Sequence, residues 1–121
     1  MDAKFLAVQH LGHHMIPTIG LRVETKNAGK ILAYSCDTEP CEQTVRLADG
    51  ADILIHEAAG AFYGHSSAEQ AGEIATRAEV GKLYLIHYPT GRFANGNLVE
   101  EAGKTYKGEV ILAEDFMTIE L

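Results

Sequence analysis

The sequence is poor in the features that mark several large protein classes. It has two cysteines, Cys36 and Cys41, too few for a disulfide framework to stand in for a hydrophobic core. Their spacing is not the C-x-x-C of a redox pair, so they read as reduced thiols. No apolar run approaches the roughly 20 residues that a membrane-crossing helix needs. No basic-then-apolar leader opens the chain either. Positive charge is scarce: ten Lys and Arg face 17 Asp and Glu, for a net charge of −7. That balance disfavours nucleic-acid binding through a broad basic surface. It leaves room for action on a phosphate ester, because a bound metal reverses the local field. Repeats, low-complexity stretches and linkers are also missing. These absences point to a soluble, cytoplasmic protein organised as one domain over residues 1–121.

What is present suits such a domain. Hydrophobic residues make up 46% of the 121 and charged residues 22%, an ordinary globular balance. A chain of this size buries roughly 65% of the surface its unfolded form exposes, enough for a real core. Phe5-Leu6-Ala7-Val8 reads as a short strand. Residues 16–24 are rich in β-branched side chains, Lys26-Asn27-Ala28-Gly29 reads as a turn, and residues 30–35 return as a second strand, so a hairpin is expected. Thr38-Glu39-Pro40 is expected to open a helix to Ala48, closed by Asp49-Gly50. Residues 52–56 and 82–86 have buried-strand patterns. Between them, Ser66-Ser67-Ala68-Glu69 fits a capping box with Ser66 as N-cap, leading a helix to about Ala78. Ala68, Ala71, Ile74, Ala75 and Ala78 lie at helical spacing. Leu98 to Thr105 reads as a third helix, with Gly103 weakening it. Residues 109–113 and 116–120 read as two closing strands around Glu114-Asp115. The alternation predicts an α/β layer with a mixed sheet and helices on one face. The other face then lacks a cover.

Polar residues stand just past the ends of the buried strands: Asp37 after the first parallel strand, His56 and Glu57 at the end of the next, and His87 after Leu83 to Ile86. His65 lies in the loop before the capped helix. Parallel strands gather ligands at their C-terminal ends, so these groups should meet at one edge. An Asp with several His suits zinc. Each residue also has a structural alternative. An Asp at a strand–helix junction is often a cap, a lone His after a strand is often only hydrogen-bonded, and His56-Glu57 could bridge loops.

At these residues the chain resembles metallo-β-lactamase-fold hydrolases, and their ribonuclease Z-like branch most. The segments that carry the likeness are His14-Met15-Ile16-Pro17-Thr18-Ile19-Gly20-Leu21-Arg22, Tyr34-Ser35-Cys36-Asp37-Thr38 and Ala51-Asp52-Ile53-Leu54-Ile55-His56-Glu57-Ala58. They continue through Gly64-His65-Ser66-Ser67-Ala68-Glu69-Gln70-Ala71, Leu85-Ile86-His87-Tyr88 and Leu112-Ala113-Glu114-Asp115. Each is weak alone; the ordered set is specific. The resemblance implies the C-terminal half of an αββα sandwich with a two-zinc site. Asp37 is then the carboxylate bridging two metals, His87 a terminal ligand, and His65 the group that assists proton transfer to the leaving group. His14, His56, Glu57 and Arg92 are expected to support these groups or touch substrate. The family's H-x-H-x-D-H signature, which supplies most other ligands, is absent, and His10, His13 and His14 do not reproduce it. The usual Gly before the bridging Asp is Cys36, which tightens the turn or adds a soft ligand. No basic arm like that used for transfer RNA is present.

Three functional readings follow. The first is half of a metal-dependent hydrolase of phosphodiesterase type, incompetent alone. Its N-terminal half would be supplied upstream in a longer polypeptide or on a separate chain. The second is a binding or assembly module that keeps the fold without the chemistry. The third is a homo-oligomer that builds its metal site across a two-fold axis.

Overall fold

The computed structural model describes residues 3–11 and 17–121, with side chains from residue 17 onward. His13 and His14 lie outside the described residues. Nine-residue strands β1 (Ala3–Leu11) and β2 (Pro17–Thr25) precede β3 (Ile31–Tyr34), α1 (Glu42–Ala48) and β4 (Ile53–Glu57). α2 (Ala68–Arg77), β5 (Lys82–Ile86), a 3-10 turn at Gly91–Phe93, α3 (Leu98–Gly103) and β6 (Glu109–Leu112) follow. The sheet has six strands in sequence order. β1, β2 and β3 are antiparallel neighbours, and the expected turn after Thr25, whose N–H donates to Lys30 O at 2.8 Å, joins β2 to β3. β3 to β6 are parallel. Their three crossovers all step the same way along the sheet, so right-handed connections place α1, α2 and α3 on one face. The helices accordingly pack side by side, α1 on α2 and α2 on α3.

Strand alternation sorts the residues between the two faces. Ala33, Leu54 and Leu83 are register partners, turned to the helices and fully buried with Leu47, Ile74 and Leu85. Arg22, beside Ala33, donates to Leu47 O at 2.8 Å and Asp49 O at 2.9 Å, tying α1 to β2. Gly72 lets α3 approach α2: a Cβ there would meet Ala102 O at 2.6 Å and the Thr105 hydroxyl. The opposite face carries a row of paired residues, Leu21, Tyr34, Ile55, Tyr84 and Ile111. No helix among the described residues covers it. None is long and apolar enough to cross a membrane.

Three expectations fail locally. α1 starts at Glu42 rather than Thr38, with Cys41 as N-cap, because the Thr38 N–H is committed to the Glu57 carboxylate at 3.1 Å. The capping box sits one residue later than expected: Ser67 accepts from Gln70 N–H at 3.1 Å and Gln70 Oε1 accepts from Ser67 N–H at 2.9 Å. Ser66 is buried and occupied elsewhere, donating to Thr38 O at 2.7 Å. The second closing strand, residues 116–120, does not form. Met117 N–H closes a turn on Glu114 O, and Phe116 takes φ +65°, which is incompatible with an extended strand.

Candidate metal centre

The C-terminal ends of β3 and β5 both break sharply. Cys36 has φ +56° and His87 has φ +50°, left-handed values that disfavour residues with a Cβ by roughly 1–2 kcal/mol each. The reward is geometric: the two kinks turn Asp37 and His87 toward each other, and His87 Nδ1 bonds Asp37 Oδ1 at 2.8 Å. His65 joins them from the β4–α2 loop, its ring centroid 5.3 Å from that of His87. One ligand atom from each of Asp37, His65 and His87 lies within 4.8 Å of the others. Three of the residues expected at that edge, Asp37, His65 and His87, therefore meet. Cys36 is not among them. Burial pushes the Cys36 thiol pKa up. Its left-handed backbone shapes the turn into Asp37.

Glu57 organises the centre from behind. Its side chain is fully buried. Oε1 accepts from Thr38 N–H at 3.1 Å, Ser66 N–H at 3.0 Å and His65 Nδ1 at 3.0 Å, and Oε2 accepts from Ala59 N–H at 2.9 Å. Burial pushes the Glu57 carboxyl up, and the N–H donors and His65 pull the other way. Nδ1 of His65 is thus committed to Glu57. His65 is 6% exposed, so it lies at the base of the site rather than on an open rim.

The other candidates separate. His56, one residue before Glu57, points to the helix side, is fully buried and holds the Glu57 carbonyl through Nδ1 at 2.8 Å; it belongs to the scaffold. Arg92 stacks over Phe93, 4.8 Å from the ring centroid, and no described contact joins it to the cluster. Sequence reasoning missed Glu39, Phe62 and Tyr63. With Pro40, His65 and Gln70 they line a cavity of about 560 Å³ beside the cluster. The available signal was two adjacent aromatics in a loop otherwise made mostly of alanine and glycine. A second cavity, about 370 Å³, lies on the His87 side and is lined by Tyr88, Thr90, Glu114 and Asp115.

One carboxylate and two imidazoles converging on a point are the donor types zinc prefers, so the residues fit such an ion. They are fewer than a two-metal site needs. The carboxylate behind His65 fixes its tautomer, as partners of catalytic and metal-bound imidazoles do.

Comparison with known proteins agrees with this geometry. Residues 2–88 match the family model described as the beta-lactamase superfamily domain. Ribonuclease Z of Archaeoglobus fulgidus is 39% identical over 105 residues, covering 79% of this chain and 34% of that protein. The metallo-beta-lactamase fold protein YhfI from Bacillus subtilis superposes with a TM-score of 0.76 at 27% identity, covering 91% of this chain and 47% of that one. The short form of human tRNase Z gives a TM-score of 0.70 at 28% identity, over 96% of this chain and 42% of that one. The chain spans about a third of the length of the curated relatives it matches.

Proposed function

The chain belongs to the beta-lactamase superfamily, and from that premise we propose that it carries one half of the active centre of a ribonuclease Z-like phosphodiesterase. The observation that carries this reading is the meeting of Asp37, His65 and His87 within 4.8 Å, backed by buried Glu57. Asp37 and His87 would hold zinc, which when bound would supply an activated water and polarise the phosphoryl oxygens. His65 delivers a proton from Nε2 to the leaving oxygen. Glu57 keeps Nδ1 protonated and the ring aimed. His14 is left as a candidate contact from the N-terminal side, and Arg92 as a candidate contact to substrate.

Asp37 and His87 are two strong ligands, and catalytic zinc usually has three from protein. The chain alone is therefore expected to be nearly inactive. The remaining ligands come from a second layer on the open sheet face, either the family's other half or, at its simplest, a second copy of this chain. Free Cys36 and Cys41 suit a reducing cytoplasm.

The test is zinc titration by calorimetry, on the chain alone and with a complementing half bearing H-x-H-x-D-H. Weak uptake alone, strong uptake on complementation, and loss of both in Asp37→Ala are expected. No uptake in either state would favour a non-catalytic assembly module. A robust zinc-dependent phosphodiesterase rate from the chain alone, abolished in Asp37→Ala, would show that this half suffices.

A further inference from the structure

Ile53 is 4% exposed, yet it lies on the sheet face that the helices leave open. Its neighbour Leu54 points to the helices, and side chains alternate along a strand. Ile53 is accordingly absent from the helix-side core in which Leu54 and Leu83 take part. An isoleucine on an open face is buried this far only under a cover. The segment after β6 supplies it. The segment leaves the sheet at Ala113, whose N–H still bonds Leu85 O at 2.9 Å. Glu114 and Asp115 stand beside His87, at the end of the sheet where Asp37 and His87 meet. Ile119, Glu120 and Leu121 have reached the opposite end, where they line one depression with Thr25, Asn27 and Lys30. With helices on one face, the route between these two ends runs over the other. Ile119 is half-buried along it, whereas Thr118 and Glu120 on either side are exposed.

Little holds the segment there except apolar contact. Met117 N–H closes a turn on Glu114 O at 3.1 Å, and no other hydrogen bond or ion pair ties residues 116–121 to the described residues. Their backbone groups are satisfied by water, so lifting the segment off the face breaks no backbone bond to the sheet. Phe116 takes the left-handed φ of +65° at the bend and its ring is fully exposed. Met117 and Leu121 are also exposed. The half-buried Ile119 is therefore the main apolar anchor, and a single anchor of this size is weak enough to be exchanged for a better partner.

We propose that residues 116–121 form a displaceable strap, which covers the open face at Ile53 in the single chain and competes there with a second copy of the chain. Two copies docking face to face need one self-complementary patch, and the strap lies across it. Binding that requires an open state is weakened by the fraction of chains that are open. Half-burial of one isoleucine keeps the strap closed on the order of fivefold, and two straps multiply to about 25-fold. Zinc plays no part in this competition, so it holds whether or not Asp37 and His87 bind metal. The test is sedimentation equilibrium of the chain, of the chain ended after Asp115, and of Ile119→Ser, with methyl NMR of the dilute chain. Contacts between the Ile53 and Ile119 methyls are expected in the dilute chain and should fade as it self-associates. Both variants should dimerise more tightly than the parent, by up to about 25-fold. Ile119→Ser keeps the full length and adds no charge, so it decides the matter if the shortened chain misfolds. Unchanged association in Ile119→Ser would overturn the strap. Weaker association would also overturn it, by making Ile119 part of the interface. Absence of Ile53–Ile119 contacts in the dilute chain, or of self-association in every form, would do the same.

Discussion

Asp52 closes the sheet at the end opposite Asp37 and His87. Its Oδ2 accepts from Ile31 N–H at 2.8 Å and its Oδ1 from Lys30 Nζ at 3.1 Å. The Ile31 N–H, first, and Lys30 hold its pKa below the usual 3.8. A depressed carboxylate stabilises the fold above its unfolded pKa, and that contribution is lost as the pH falls through the folded value. Asp52→Ala should therefore cost about 0.5–1 kcal/mol near neutrality, limited by solvent screening. Most of the difference should vanish below pH 3.8, a trend that urea denaturation of both proteins across pH would reveal. His65 carries a second prediction. Its buried bond to Glu57 means that His65→Ala should lower stability by about 1–2 kcal/mol, where an open-cleft residue would cost nothing. A denaturation midpoint equal to the parent's would contradict the geometry. Asp37, His65 and His87 were legible in the sequence because each stands past a buried strand or before a capped helix. Which of His56 and Glu57 faces the site was not legible. Adjacent strand residues point to opposite faces, and only the completed sheet says which is which.

At the scale of elements, apolar spacing identified β4, β5 and α2 nearly to the residue, because tertiary packing and local pattern agree there. The ends were less legible, because polar groups near the site are spent on it. Ser66, Thr38 and Glu57 form a buried network that displaces both the α2 cap and the start of α1. Two substitutions measure this. Ser67→Ala removes the true N-cap and should cost about 1 kcal/mol. Ser66→Ala should also destabilise, by leaving the buried Thr38 carbonyl without its donor, and its signature would be faster amide exchange at Thr38 rather than fraying of α2. The helical glycines give a sharper contrast. Alanine is the better helix former by roughly 1 kcal/mol. Gly103→Ala meets nothing within 4 Å and should stabilise. Gly72→Ala drives a methyl toward Ala102 O and the Thr105 hydroxyl and should destabilise despite the same propensity gain. Thermal melts of the two variants should move in opposite directions.

For the whole molecule, the question is what lies against the open sheet face. Leu21, Tyr34, Ile55, Tyr84 and Ile111 run across five strands in register, and Ile19 and Leu21 are 55% and 39% exposed. Monomers seldom leave an apolar stripe of that extent in water. The family's sandwich places a second layer on this kind of face, and this chain accounts for about a third of its curated relatives' length. A second copy related by a two-fold axis needs only one self-complementary patch to supply that layer. We therefore expect a dimer at micromolar concentration, with twice the chain mass by light scattering. Leu21→Glu places a carboxylate at an already exposed position in the stripe, so it should return the mass to that of one chain while leaving the fold intact. A clean single-chain mass for the parent protein would end the dimer. If the axis also brings two Asp37 and two His87 side chains together, zinc should bind at one ion or more per dimer and be lost in Leu21→Glu. Zinc uptake that persists unchanged in the monomeric variant would separate metal binding from assembly and leave each chain's Asp37 and His87 to hold the ion alone.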